Sequence, residues 1–334
     1  MQSAPPDQRI DAQGSSQVEL PVGVSELHNH GPRVTGSRCF PRSVTPLGIV
    51  LPMTVIDVAD PLVATHSGSL SPSRSSDFKS CPLKYRFRTI DRLEEPASRA
   101  AARGTLVHDV LERLFDSPAA ARTLDSAAAM VEASWDSVRV ADPRLDALFA
   151  EADTAELAEW LESARTLLGN YFQLEDPSRF DPAERELYVS HQLEPSGLRL
   201  HGYVDRLDRA TDGRLRVVDY KTGRSPGAGF EGSALFQLKF YALLLWRTRD
   251  VIPAALRLIY LGDLVTVDYA PDERELVVFE RNLLALWDAV KRATDTGDWR
   301  PKKSRLCDWC SFQSLCPEFG GTTPPLPVAR SASE

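Results

Sequence analysis

The sequence is short of several things, and each shortage narrows the field. No apolar run approaches the roughly 18–20 residues that a bilayer-spanning helix needs, so no membrane partner is expected. The N-terminus shows neither a basic stretch nor an apolar one behind it, so no secretory signal is visible and the expected compartment is cytoplasmic. Cysteine is sparse and odd in number, five in 334 residues. That excludes a disulfide scaffold, and clustered cysteines in a cytosolic chain point to metal instead. No Gly-x4-Gly-Lys-Ser/Thr run occurs. The chain therefore carries no helicase motor, and a separate helicase partner is not legible. Positive charge is scarce too. The 39 Lys and Arg against 47 Asp and Glu leave a net charge of -8, which at first sight speaks against a phosphate-backbone partner.

What is present can bury a core: 43% of residues are hydrophobic and 26% charged. Residues 1–65 read as a weakly ordered tail punctuated by Pro5, Pro6, Pro21, Pro32, Pro41, Pro46 and Pro52. Met53 opens more ordinary sequence and is a candidate start. Residues 321–334 read as a second disordered tail. Between them, residues 66–320 read as one domain. Ser71-Pro72-Ser73 caps a short helix, and Leu106, Val110, Leu111, Leu114 and Phe115 line one face of a helix over 104–115. Residues 117–178 form a helical insertion, with Leu157, Trp160, Leu161, Ala164 and Leu168 at helical spacing. Strands follow over 186–193, 198–207 and 215–220, the last two joined by the turn Thr211-Asp212-Gly213-Arg214. A Gly-rich loop, a helix over 235–247, a second hairpin and a long helix over 273–294 complete a mixed α/β order.

The richest stretch is Gly202-Tyr203-Val204-Asp205-Arg206-Leu207-Asp208, followed by Val218-Asp219-Tyr220-Lys221-Thr222-Gly223. Alternate strand residues share a face, so Asp219 and Lys221 point the same way, and the 211–214 turn brings Asp205 near Asp219. Paired carboxylates repel unless a cation sits between them. Hard cations such as Mg²⁺ or Mn²⁺ take such oxygens, and a neighbouring lysine can orient an attacking water. Solvated surface charge is the better explanation for any single aspartate. It is a poor one for charges on the apolar strand begun by Leu215, Val217 and Val218.

These motifs resemble the RecB-type branch of the PD-(D/E)XK nuclease superfamily. The resemblance implies a restriction-endonuclease-like α/β core, a mixed central sheet flanked by helices. It also implies a catalytic metal on Asp205 and Asp219, with Lys221 assisting the nucleophilic water. The namesake proline is replaced by Val204, as is common in that branch. Gly104-Thr105-Leu106-Val107-His108, with Glu112 four residues on, is similar to the family's histidine helix and implies His108 as a third metal ligand. Gln237-Leu238-Lys239-Phe240-Tyr241 is similar to its Gln-x-x-x-Tyr helix and implies that Gln237 and Tyr241 help hold the site and the DNA strand. Glu186 resembles an upstream acidic position but ranks below the others, since its segment holds several acids.

Cys307-x-x-Cys310-x5-Cys316 lies near the C-terminus, and Cys81 lies far upstream. The spacing suits a four-thiolate site and leaves zinc and iron–sulfur both open. The AddB nuclease domain and CRISPR-adaptation nucleases carry one cysteine before the core and three after it in this form. The resemblance therefore implies a [4Fe–4S] cluster on Cys81, Cys307, Cys310 and Cys316, clipping the start of the domain to its end. Cys39 matches nothing.

Charge is unevenly placed. Residues 74–103 hold eight bases against four acids and residues 291–305 six against two, whereas 131–186 hold fourteen acids and five bases. Tyr85, Phe87 and Trp299 lie in the basic stretches, as expected where bases stack beside a phosphate track. The expectation is a metal-dependent DNA nuclease, an exonuclease on single-stranded or end-containing DNA, serving repair or recombination. The alternatives are a non-catalytic iron–sulfur DNA-binding subunit and a zinc-stapled protein of another function.

Overall fold

Local capping sets the helix starts. In this computed structural model, which describes residues 68–327 apart from 153 and 227–230, Ser71 Oγ accepts the Arg74 amide at the start of α1 (Pro72–Ser80). Helix α2 (Pro82–Tyr85) follows Cys81. Ser98 caps α3 (Arg99–Leu114) and Thr123 caps α4 (Leu124–Ala141). Helix α5 spans Thr154–Leu174 and α6 Glu231–Arg249. Asp272 caps α7 (Glu273–Thr296), which ends on Gly297 at φ 69°, a left-handed stop. The expected tail over 1–65 with the Met53 start and Cys39, and residues 66–67 of the expected domain, lie outside the described residues. No helix among the described residues is long and apolar enough to cross a membrane.

The strands are β1 (Ser69–Leu70), β2 (Glu184–Leu193), β3 (Leu198–Arg209), β4 (Leu215–Lys221), β5 (Ala255–Tyr260) and β6 (Val265–Tyr269). They form one mixed sheet in the order β1-β3-β4-β5-β6, with β2 antiparallel along the other edge of β3. One detail of this order positions everything that follows. β1 pairs with Arg199 and Leu200, and β4 pairs with Arg206 to Arg209, on the same edge of β3. Residues 201–205 of that edge are left in a notch between two strands.

Helices cover both faces. Phe78 of α1, Leu238 to Leu245 of α6 and Leu276, Phe279 and Leu283 of α7 build one core against Leu200, Val204, Val217 and Leu258. On the other face α3, α4 and α5 pack against Val218, Tyr220, Ile259 and Leu261. The stretch read as an insertion thus supplies two of the three helices of a whole layer. In α3, Leu106, Val107, Val110, Leu111 and Leu114 are almost fully buried, each stabilising by about 1.5–3 kcal/mol.

The C-terminal segment folds back onto α1 and α2. Trp299 stacks on Tyr85, with ring centres 6.0 Å apart, and meets Phe78 edge-on. Phe312 packs on Phe87. Of the stretch expected to be disordered, 321–327 is described: it has no helix or strand, yet the Pro324 carbonyl accepts from Arg86.

Candidate active site

The notch in β3 is where the predicted residues meet. The β3–β4 ladder runs from Arg209↔Leu215 to Arg206↔Val218 and stops. The next positions in that register are Asp205 and Asp219. As the strands part, Tyr220 stays paired with Ile259 of β5 but has no partner on β3, and side chains fill that side. Asp205 Oδ2 accepts the Tyr220 amide at 2.8 Å, and His108 Nε2 lies 3.1 Å from the Tyr220 carbonyl. A carbonyl can only accept, so Nε2 carries the proton and a neutral ring keeps its lone pair on Nδ1. Nδ1 lies 3.5 Å from Asp205 Oδ2. A ring nitrogen turned toward acids while the other donates to a carbonyl is the arrangement of a metal-ligating histidine.

Asp219 is 1% exposed. Its Oδ1 accepts from Gln237 Nε2 at 2.7 Å. Its Oδ2 sits 2.5 Å from Lys221 Nζ, yet receives no well-directed hydrogen bond. Gln237 links the group: its Oε1 accepts from Lys221 Nζ at 2.8 Å, and its Nε2 also reaches the Tyr241 hydroxyl at 3.0 Å. The i, i+4 pair expected on α6 therefore brackets the Asp-x-Lys strand. A Cβ on Gly202 would lie 2.9 Å from the Tyr241 ring, so the motif glycine is what lets α6 seat against β3. Gly104 plays a similar part on α3, where a Cβ would stand 3.3 Å from Thr222 Oγ1.

The compact donor set differs from the expected one. His108, Glu186 and Asp205 place ligand atoms within 4.8 Å of one another, whereas Asp219 turns its carboxylate to Lys221 and Gln237. Sequence reading ranks Glu186 below the others, and the structure brings it beside His108 and Asp205, for which a signal was available. The hairpin pairs Arg185 with Arg206 and Leu187 with Val204, which sets Glu186 opposite Asp205. Counting back from the Glu194-Pro195-Ser196-Gly197 turn would have found it. Glu186 holds φ 42°, an uncommon value for a residue with a side chain. Here the alternation of β3 also breaks, since Val204 is buried in the α6 core and Arg206 faces α5.

Electrostatics make the cluster hungry for positive charge. Burial, then Asp205, Glu112 and Asp219, pushes the Glu186 carboxyl up to about 9. Burial and Asp205 push Asp219 up to about 6, against the pull of Lys221. For Lys221 burial works against the charge, but Asp219 and Asp205 outweigh it and hold the ammonium above its usual value. Glu112 lines the same small cleft with His108, Arg185, Glu186 and Asp205. A set of oxygens and one imidazole nitrogen, with too little cationic charge around it, suits a hard divalent cation.

A profile of the PD-(D/E)XK nuclease superfamily matches residues 69–317. The chain belongs to the PD-(D/E)XK nuclease superfamily. The "Gene 69 protein" of Mycobacterium phage D29 is 27% identical over 201 residues, covering 54% of this chain and 70% of that protein. Its counterpart in Mycobacterium phage L5 is 29% identical over 130 residues, covering 38% and 42%. A crystal structure of a proposed exonuclease from Eubacterium rectale shares 13% identity at a TM-score of 0.48, covering 78% of this chain and 92% of that one. For this PD-(D/E)XK chain the mixed sheet flanked by helices is the superfamily's core.

One expectation about nucleic-acid contact is overturned. Tyr85, Phe87 and Trp299 are buried in the core and offer no face to a base. Four of the eight bases of 74–103 form ion pairs, Arg86 with Asp91, Lys84 and Arg88 with Asp77, and Arg99 with Glu156; only Glu156 lies outside the run, so its basic surplus remains.

The four cysteines converge. Lys302 donates its amide to Cys81 Sγ at 3.4 Å, and Ser304 donates to Cys307 Sγ at 3.4 Å. Burial pushes the Cys316 thiol up, and Cys81, Cys310 and Cys307 push the same way. All four are half-buried free thiols.

Proposed function

We propose that this protein is a metal-dependent deoxyribonuclease, acting as an exonuclease on single-stranded or end-containing DNA in repair or recombination. The observation that carries the reading is the joining, at one notch in the sheet, of a carboxylate-and-histidine set with a buried Asp219–Lys221 pair. His108, Glu186, Asp205 and Asp219 would hold Mg²⁺ or Mn²⁺; such an ion supplies Lewis-acid stabilisation of phosphate charge and an acidified water. Lys221, kept charged by Asp219 and Asp205, is placed to orient that water and to steady charge on the phosphate oxygens. Gln237 holds Lys221 and Asp219 in one geometry, and Tyr241 holds Gln237. Water adds to phosphorus, the phosphodiester P–O bond breaks, and the leaving oxygen takes a proton. Full-length protein purified without oxygen should degrade end-labelled DNA with Mg²⁺ or Mn²⁺ and not with EDTA. Intact label at every metal and strand form would sink the reading and favour a non-catalytic DNA-binding subunit.

The four converging cysteines support a four-thiolate site, which the family resemblance makes a [4Fe–4S] cluster, with zinc as the alternative. Cys310→Ser should remove most of the iron and the brown colour from anaerobically purified protein, and lower its melting temperature. Wild-type protein that is colourless and carries zinc would decide for the third alternative.

A further inference from the structure

With Tyr85, Phe87 and Trp299 in the core, the surface must offer a base some other platform if the nuclease reading holds. Alternation along β2 and β3 supplies one. Tyr188 and Ser190 on β2, and Arg199, His201 and Tyr203 on β3, share the face on which the row ends at Glu186 and Asp205. Tyr188 and Tyr203 are paired across the strands with ring centres 5.0 Å apart, and His201 lies 6.4 Å from Tyr188. Arg199 donates to the Tyr188 hydroxyl at 3.0 Å and to Ser190 Oγ at 2.9 Å, which lays its guanidinium beside the rings. Tyr203 is two residues from Asp205, about 7 Å along the strand, and Arg199 is roughly 20 Å away.

This row belongs to neither buried core. Tyr188 is 43% exposed, a large aromatic ring on an outer sheet face. The other strongly exposed aromatics among the described residues, Trp309 and Phe319, lie in the cysteine segment. The exposed Tyr188 ring, with the half-buried His201 and Tyr203 rings and one cation beside it and clustered carboxylates at the end of the row, matches an unpaired strand with its bases stacked and its backbone led to the cleft. A duplex, whose bases already stack on one another, gains nothing from the rings.

We infer that Tyr188, His201 and Tyr203 form a stacking platform that guides an unpaired DNA strand to the Glu186–Asp205 end of the notch. This rests on the nuclease reading and adds the strand form and the residues that select it. The competing explanation is a cross-strand aromatic pair that only stabilises the β2–β3 hairpin.

The test is fluorescence anisotropy with full-length protein carrying Asp219→Asn, so that bound DNA is not consumed. The probes are an oligothymidine of about 12 nucleotides, the same backbone with abasic sites, and a blunt duplex. Tyr188→Ala should weaken oligothymidine binding roughly ten-fold, leave the already weak abasic binding unchanged, and leave duplex binding unchanged. Tyr188→Leu, which keeps packing bulk and removes the flat ring, should behave as Tyr188→Ala, and Tyr188→Phe as the parent. If Tyr188→Ala and Tyr188→Leu bind oligothymidine as the parent does, or if all probes weaken together, the platform is wrong while the nuclease reading stands. If the wild-type chain neither binds nor cuts any DNA, both fall.

Discussion

Replacing Asp219 by asparagine is expected to lower DNA cleavage by roughly a thousand-fold or more and to leave the melting temperature unchanged or higher. Two facts combine to separate activity from stability here. The side chain is buried, and burial together with Asp205 already pushes its carboxyl up to about 6, so the fold bears a cost for that charge. Asparagine keeps the shape and can still meet Gln237, but it removes the negative charge that faces Lys221 at 2.5 Å and would face the metal. Asp219→Ala should be as inactive but less stable, because it leaves Lys221 and Gln237 without their buried partner. Rates of label release from single-stranded DNA, measured beside thermal melts, decide the matter. An Asp219→Asn protein that cuts like wild type would place the chemistry elsewhere.

The largest loss of stability is expected at a residue that the motif contains but does not explain. Arg206 is 1% exposed. Its guanidinium meets Glu175, the residue just past the end of α5, with both terminal nitrogens, at 2.6 and 3.0 Å. It also meets Asp208 at 3.0 Å and the Tyr220 hydroxyl, and it lies over the rings of Phe180 and Tyr220. This joins α5 to the strand residue whose backbone holds Asp205 and His108. Breaking one side of a buried pair leaves a charge without compensation, at a cost of about 3–5 kcal/mol. Glu175→Gln should therefore lower the melting temperature on the order of 10 °C. Replacing both partners by apolar residues, Arg206→Met with Glu175→Leu, should recover part of that loss. A Glu175→Gln melt that overlays wild type would show that Asp208 alone suffices.

Some of this protein was legible one residue at a time. Asp219 and Lys221 share a strand face because the strand period is two, and Gln237 and Tyr241 meet because helical neighbours are four apart. These short-range relations need no knowledge of the rest of the chain. The cysteine spacing is of the same kind, although only the returning C-terminal segment brings it to Cys81.

What the tertiary structure decided lies in relations between elements. Glu186 joins His108 and Asp205 through hairpin register, a property of two strands and their turn. The Tyr220 backbone became an organiser of the site because β1 and β4 share one edge of β3 and leave a gap between them. Tyr85, Phe87 and Trp299 looked like a base-stacking track and proved to be core, since an aromatic ring reads the same in sequence whether it faces water or protein. Arg99 of the basic run meets Glu156 for the same reason, as a partner brought near only by the fold. Periodicity carries the local geometry of a chain, while burial and pairing depend on which faces the long-range contacts bring together.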